Sequence, residues 1–361
     1  MNIQNGDEKN ATLLLENGML FSGISVGVKG ETIGTLNFTT AMVGYQEAIT
    51  NPNNYGVMLT QTFPLIGNYG INKFENESDK SHLNGYVIRE ICDVPSNYRS
   101  EKSLNEFLVE KNVVGISDID TRRLTKIIRE QGEINAMITT NEISDKDALI
   151  KKIKAYKITD AIKNTTTTTK KVFKAETQKK YSVAVLDCGA DNSLINGFAN
   201  MGCEVTLFPA NTDKSEIINK FDFCVISDGA GNPSENVEVI NTVREIINSN
   251  MKTVGIGQGH LIMAIAMGMS VEKLTYGHRG ANVPVLDKMS KKTYITSQNH
   301  SYIVDEKSVA TKAEVTFINA NDKTIEGLSY ENSNAFSFAF IPDYKKSMLS
   351  TSFVFDKLIG E

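Results

Sequence analysis

The sequence has no run of about 18 apolar residues, so it offers no membrane-spanning helix. Cysteine is scarce: Cys92, Cys188, Cys203 and Cys224 show no paired metal-ligand spacing. That argues against a disulfide framework or a zinc motif, and predicts reduced, mostly buried thiols in a cytoplasmic protein. Strong charge of either sign is also missing. A net charge of -5 gives no reason to expect a nucleic-acid partner and is mainly a solubility property. The polar opening, residues 1–10, lacks the apolar core of a signal peptide, and no internal repeat is evident. What is present is ample: 361 residues with 40% hydrophobic content suit two domains with properly buried cores.

The first part of the chain mixes strands and helices. Residues 12–21 predict two strands around an Asn17-Gly18 turn, because Asn-Gly tolerates the positive φ angles of a two-residue hairpin. Further strands are expected at 35–38, 57–61, 85–90 and 135–139. Ser103 is the expected N-cap of a helix over 103–111, and 120–131 predicts a second helix with Leu124, Ile127 and Ile128 inward. A charged helix is expected over 144–156. The polar run Asn164 to Lys171, five threonines among it, reads as an exposed linker or linker hairpin. The expected domains are 1–150 and 181–361, joined by a linker over 151–180.

From Tyr181 strands alternate with helices: 182–187, 193–201, 204–209, 214–220, 221–227 and 235–249. This order predicts a parallel sheet covered on both faces, with ligands at the strands' C-terminal ends. β-rich segments follow at 292–297, 313–319 and 335–340, and a terminal helix is expected over 351–358. The stretch Thr253-Val-Gly-Ile-Gly-Gln-Gly-His260 leads into the apolar Leu261 to Met267. Strand, tight turn and helix form the frame of a nucleophile elbow, which lifts one side chain above the sheet. Gly255 and Gly259 flank the central position, and the residue there is Gly257.

These residues and several others carry a family resemblance. Gly44-Tyr-Gln-Glu47, Phe63-Pro-Leu-Ile-Gly-Asn-Tyr-Gly70, Pro95-Ser-Asn-Tyr-Arg99 and Gly115-Ile-Ser-Asp-Ile-Asp-Thr-Arg122 occur in the first part. Leu186-Asp-Cys-Gly189, Gly277-His-Arg-Gly-Ala-Asn282, Ser297-Gln-Asn-His300 and Ala335-Phe-Ser-Phe338 occur in the second. Together they resemble the small chain of carbamoyl phosphate synthetase, a glutamine amidotransferase of the cysteine-elbow type. The resemblance implies an α/β protein with an N-terminal mixed α+β small-chain domain. A C-terminal, doubly wound class I glutamine amidotransferase-like domain would follow. It also implies glutamine hydrolysis, ammonia transfer to a large synthetase chain, and a role in pyrimidine and arginine biosynthesis. Neither cofactor nor metal is implied.

Against that pattern the site positions are altered. The nucleophile position is Gly257, the neighbouring leucine is Gln258, and a substrate-holding glutamine is Leu261. The catalytic histidine and its orienting glutamate fall at Ile341 and Asp343, and a substrate-contacting serine falls at Ala41. Asp228 stands for an asparagine, Ala230 for a proline, Ser301 for a glycine and Val283 for a histidine. Gly229 and Gly231 keep the glycine loop, while Asn299, Ser301 and Tyr302 complete the remnant of a substrate site. His260, His278 and His300 are expected to be structural or tunnel-side, and the four thiols to be buried small hydrophobes. The expected function is a small chain without glutaminase activity that structures or regulates an ammonia-using large chain. The alternatives are an active glutaminase and a small-molecule-binding module.

Overall fold

The computed structural model describes residues 9–343 and 351. The expected terminal helix over 351–358 and most of the expected N-terminal tail lie outside the described residues. The chain divides into two compact units, 1–158 and 159–361.

In the first unit, seven strands close into a barrel. Their order is Ala11–Leu15, Leu20–Gly27, Val114–Ser117, Gly85–Val87, Val57–Gln61, Glu31–Thr39 and Ile134–Thr139. The Asn17-Gly18 hairpin starts it: Gly18 takes φ +85°, and Ala11 pairs with Gly23. Alternate residues of these strands (Leu13, Leu15, Leu36, Met58, Val87, Ile116) point inward and form one continuous core with Leu124, Ile127 and Ile128 of helix Thr121–Gln131. Helix Leu104–Glu110 begins at a reciprocal cap: the Ser103 hydroxyl accepts from the Glu106 N–H, and the Glu106 carboxylate accepts from the Ser103 N–H at 2.7 Å. Helix Lys146–Ala155 ends at Tyr156, whose hydroxyl donates to the Gly56 carbonyl at 3.0 Å.

The threonine run is more ordered than its composition implies. Residues Ala161–Thr165 are helical, and the chain then forms a short strand, Lys171–Phe173. The Thr165 hydroxyl donates to the Cys188 carbonyl, the Thr167 N–H donates to the Asp187 carboxylate at 2.6 Å, and the Thr166 hydroxyl accepts from the Ala210 N–H. Short side chains that can donate and accept cap the carboxyl ends of two strands, so a polar tract gains order that no apolar period announces.

The second unit is built on a ten-stranded sheet. Strand Lys171–Phe173 lies antiparallel at one edge, followed by five mutually parallel strands: Cys203–Pro209, Tyr181–Asp187, Phe223–Ile226, Thr253–Ile256 and Ala335–Phe338. Antiparallel strands Ile325–Tyr330, Ala313–Asn319, Val271–Asp287 and Thr293–Val304 extend the sheet. Strand Val271–Asp287 was not expected from sequence. It is interrupted by register shifts, and its exposed charged residues break the alternation by which a strand is recognised. Separate apolar clusters pack on the two faces of the sheet. One gathers Val239, Ile240, Val243, Leu261 and Ile262, and the other Leu194, Phe198, Phe223 and Phe338. Among the described residues no helix is long and apolar enough to cross a membrane.

The Ser103 cap is testable. Ser103→Ala removes one side of the reciprocal pair and is expected to cost about 1 kcal/mol. Urea unfolding of the first unit should show a lower midpoint with an unchanged slope.

Candidate functional site

Strand Thr253–Ile256 turns through Gly257 into helix Gln258–Ala266 at the carboxyl edge of the parallel strands. Gly257 has φ 55° and ψ −114°, a region that strongly favours glycine. The flanking glycines are required by close approach. A Cβ on Gly255 would stand 2.6 Å from the Gly259 carbonyl oxygen, and one on Gly259 would overlap the Ile226 carbonyl. The turn therefore keeps the geometry of an elbow that presents a side chain, while the presenting residue has none.

The Asp228 carboxylate fills that place. A Cβ on Gly257 would overlap it. Asp228 Oδ1 accepts from the Gln258 N–H at 2.7 Å and from its neighbour Gly229 N–H at 2.8 Å. In an elbow, the N–H of the residue after the nucleophile and an N–H from a second loop stabilise the oxyanion of the reaction. Here that pair faces an anion belonging to the chain itself, at the positive end of the Gln258–Ala266 helix. Burial raises the Asp228 pKa from an ordinary 3.8 to about 6, against the opposing pull of the two N–H groups. The Gln258 side chain reaches back to the Ala230 and Gly231 carbonyls at 3.3 and 3.4 Å, holding the glycine loop against the elbow. Gly231 takes φ +83°, and a Cβ on Gly229 would overlap the Cys188 carbonyl, so both loop glycines are sterically required.

A small recess beside the turn is lined by Asp191, Leu194, Asp228, Ile256 and Ile341, and it holds no space the size of a water molecule. Ile341 is fixed by a bridge to Ser297, its N–H donating to the Ser297 carbonyl at 2.9 Å. Asp343 lies beyond it, its backbone N–H donating to the Thr351 hydroxyl. Leu261 is buried in the apolar cluster under the elbow helix. Asn299, Ser301 and Tyr302 lie on strand Thr293–Val304 and do not line the recess. Ala41 belongs to the first unit, in the loop after strand Glu31–Thr39.

No other side chain described here substitutes for the altered pair. His260 is fully buried, bonded through Nδ1 to the Ser337 hydroxyl at 2.7 Å, and burial together with His300 lowers its pKa to about 3. It therefore stays neutral within the packing. Burial raises the thiol pKa of Cys203 to about 11 and of Cys224 to about 12, and that of Cys188 well above the ordinary value. These thiols remain protonated and are weak nucleophiles. The sequence marks Asp228 as a departure, yet its role comes from the third dimension. Residues 29 positions apart in the chain bring a carboxylate onto an elbow only when two neighbouring parallel strands, Phe223–Ile226 and Thr253–Ile256, end level.

Comparison with known proteins agrees with this architecture. Residues 13–138 match the family model described as carbamoyl-phosphate synthase small chain, CPSase domain, and residues 184–360 match glutamine amidotransferase class-I. The carbamoyl phosphate synthase small chain of Clostridium perfringens is 36% identical over 97% of this chain and 98% of its own. That of Clostridium acetobutylicum is 38% identical over 96% of this chain and 99% of its own. A solved glutamine amidotransferase from Thermotoga maritima, at 16% identity, covers 44% of this chain and 74% of its own with a TM-score of 0.37, too loose a match to support a functional reading.

Two outcomes follow from the buried carboxylate. Asp228 is neutral in both folded and unfolded chains below about pH 4. Between about pH 4 and 6 only the unfolded chain ionises, and above about pH 6 the folded state bears the full cost of a charge that burial disfavours. Asp228→Asn, which retains an acceptor oxygen, should therefore stabilise the protein by about 1–3 kcal/mol at pH 8, with the gain fading towards pH 4. Denaturant unfolding across that range checks the sign. Gly257→Cys should instead destabilise by about 1–3 kcal/mol from backbone strain alone, with the overlap on Asp228 adding to it. An unchanged unfolding midpoint would refute the assigned geometry.

Proposed function

The chain belongs to the carbamoyl-phosphate synthase small chain family, and on that premise we propose that it is a small chain without glutaminase activity that structures or regulates an ammonia-using large chain. The observation that carries the reading is the Asp228 carboxylate on the Gln258 and Gly229 N–H groups, beside a glycine where the nucleophile belongs.

Carboxamide hydrolysis of this type needs an attacking atom, a proton acceptor and donors aimed at the developing oxyanion. Gly257 supplies no attacking atom. Ile341, at the base position, cannot take a proton, so Asp343 has no imidazole to orient. The donors are matched with a resident negative charge, and an oxyanion brought to them would meet like-charge repulsion. Each deficiency acts on a different step, so repairing one leaves the others in place.

The scaffold, in contrast, is kept in both matched regions, barrel and sheet among the described residues, and this fits a role in which the fold itself is the function. The first unit exposes large apolar side chains in its loops, notably Phe74 (75%), Val94 (82%) and Tyr98 (86%), which a partner chain could cover. In this reading the partner is the large synthetase chain, the complex is cytoplasmic, and carbamoyl phosphate for pyrimidine and arginine synthesis is made from free ammonia.

Purified chain mixed with a large synthetase chain should form a complex on sizing and alter ammonia-dependent carbamoyl phosphate synthesis. The same mixture given glutamine should release no ammonia above buffer. Glutamine-dependent ammonia release would overturn the loss of activity. Absence of a complex, with no effect on synthesis, would overturn the subunit role.

A further inference from the structure

Away from the elbow, the antiparallel half of the sheet buries an unusual constellation. His278, His300 and Glu326 offer ligand atoms that all lie within 4.8 Å of one another. They come from strands Val271–Asp287, Thr293–Val304 and Ile325–Tyr330, with His278 and His300 in direct register. Glu326 has 0% exposure, and its Oε2 has no hydrogen-bond partner. His278 Nδ1 is likewise buried without a hydrogen-bond partner, and Glu326 Oε1 lies 3.5 Å from it. A fully buried carboxylate oxygen without a donor is costly unless a cation completes it.

The outer atoms of each group are already committed. His278 Nε2 donates to the Asp322 carboxylate at 2.7 Å. His300 Nδ1 donates to the Tyr302 carbonyl at 2.9 Å. Glu326 Oε1 accepts from the Asn319 amide at 3.1 Å. With Nε2 bonded to Asp322, His278 Nδ1 is the ring atom that faces Glu326, and a metal ion would take its lone pair in place of a proton. A histidine ligand held from behind by a carboxylate or a carbonyl is the usual arrangement around a bound metal. His300 Nε2 already faces the Gln298 side-chain oxygen at 3.3 Å, a contact that an ion bound at that nitrogen would replace. Two ligands on a tetrahedral ion with bonds of about 2.0–2.1 Å stand roughly 3.4 Å apart. The Glu326 carboxylate already lies near that spacing, its Oε1 3.5 Å from His278 Nδ1, and its Oε2 is the oxygen left to complete the ion.

We propose that His278, His300 and Glu326 bind one divalent transition-metal ion of the zinc class, which ties together three strands of the antiparallel half-sheet. Two imidazoles and a carboxylate suit zinc and its neighbours better than calcium or magnesium, which take oxygen ligands. His278 is the least covered of the three, with 12% side-chain exposure, and gives the ion a path from solvent. The absence of thiolates from the set, and its spread over nearly fifty residues and three strands, explain why no metal-ligand spacing is visible in the sequence.

The test uses the full chain, stripped with a chelator and dialysed against zinc, with elemental analysis and thermal unfolding. One equivalent retained per chain and a raised unfolding temperature are expected. Glu326→Gln and His278→Ala should lose the stoichiometric ion. Asp322→Asn alters a partly exposed residue outside the ligand set, so it should fold normally and bind 10–100-fold more weakly. His82→Ala, in the first unit, should bind as the unaltered chain does. Cobalt substitution should give a visible spectrum without thiolate charge transfer. No retained zinc, equal binding by all variants, or a thiolate band would each overturn the assignment.

Discussion

The second unit turns on one electrostatic contact, the Asp228 carboxylate held by two backbone N–H groups beneath the elbow helix. Buried N–H groups at a helix start require an acceptor, and an enzyme of this geometry leaves them available for a reaction intermediate. Here the acceptor is resident. It satisfies donors that would otherwise be orphaned, and it lies where any side chain at position 257 would have to begin. The glycine and the aspartate are mutually dependent: the first makes room for the second, and the second gives the first a reason to remain glycine. Gln258 reinforces the arrangement by tethering the glycine loop.

The elbow was legible before any coordinates because its signal is local. Gly255 is demanded by the Gly259 carbonyl four residues on and Gly259 by the Ile226 carbonyl of the neighbouring strand, and the two demands are written as one spacing. The Asn17-Gly18 hairpin and the Ser103 cap were legible for the same reason. The parallel core was also readable, since strands such as Tyr181–Asp187 carry a short unbroken apolar run, here Val183 to Leu186. Three features were not. The threonine run is ordered by hydrogen bonds to distant strand ends, which polar composition does not encode. Strand Val271–Asp287 is concealed by its register shifts. Asp228 could be seen as a substitution, but its contact with the elbow depends on parallel strands ending level.

The histidines show how burial sorts chemically similar groups. His260 is locked against Ser337, and Ser337 against Tyr330, in a fully buried relay with no route to exchange charge with solvent. His278 and His300 meet a buried carboxylate. Surroundings, not residue type, set what each of these histidines can do. Residue type alone could not separate these cases, because the deciding neighbours come from other strands.

Strand Lys171–Phe173, three residues long and flanked by Lys170 and Lys174, lies along the outer side of Cys203–Pro209. Open sheet edges recruit other chains, and a short, cationic strand is an effective guard against that. The segment that looks like a tether between two folded bodies therefore also protects colloidal stability. A shortened chain beginning at Tyr181 would keep every residue of the elbow yet leave the apolar strand Cys203–Pro209 as an unguarded template for aggregation.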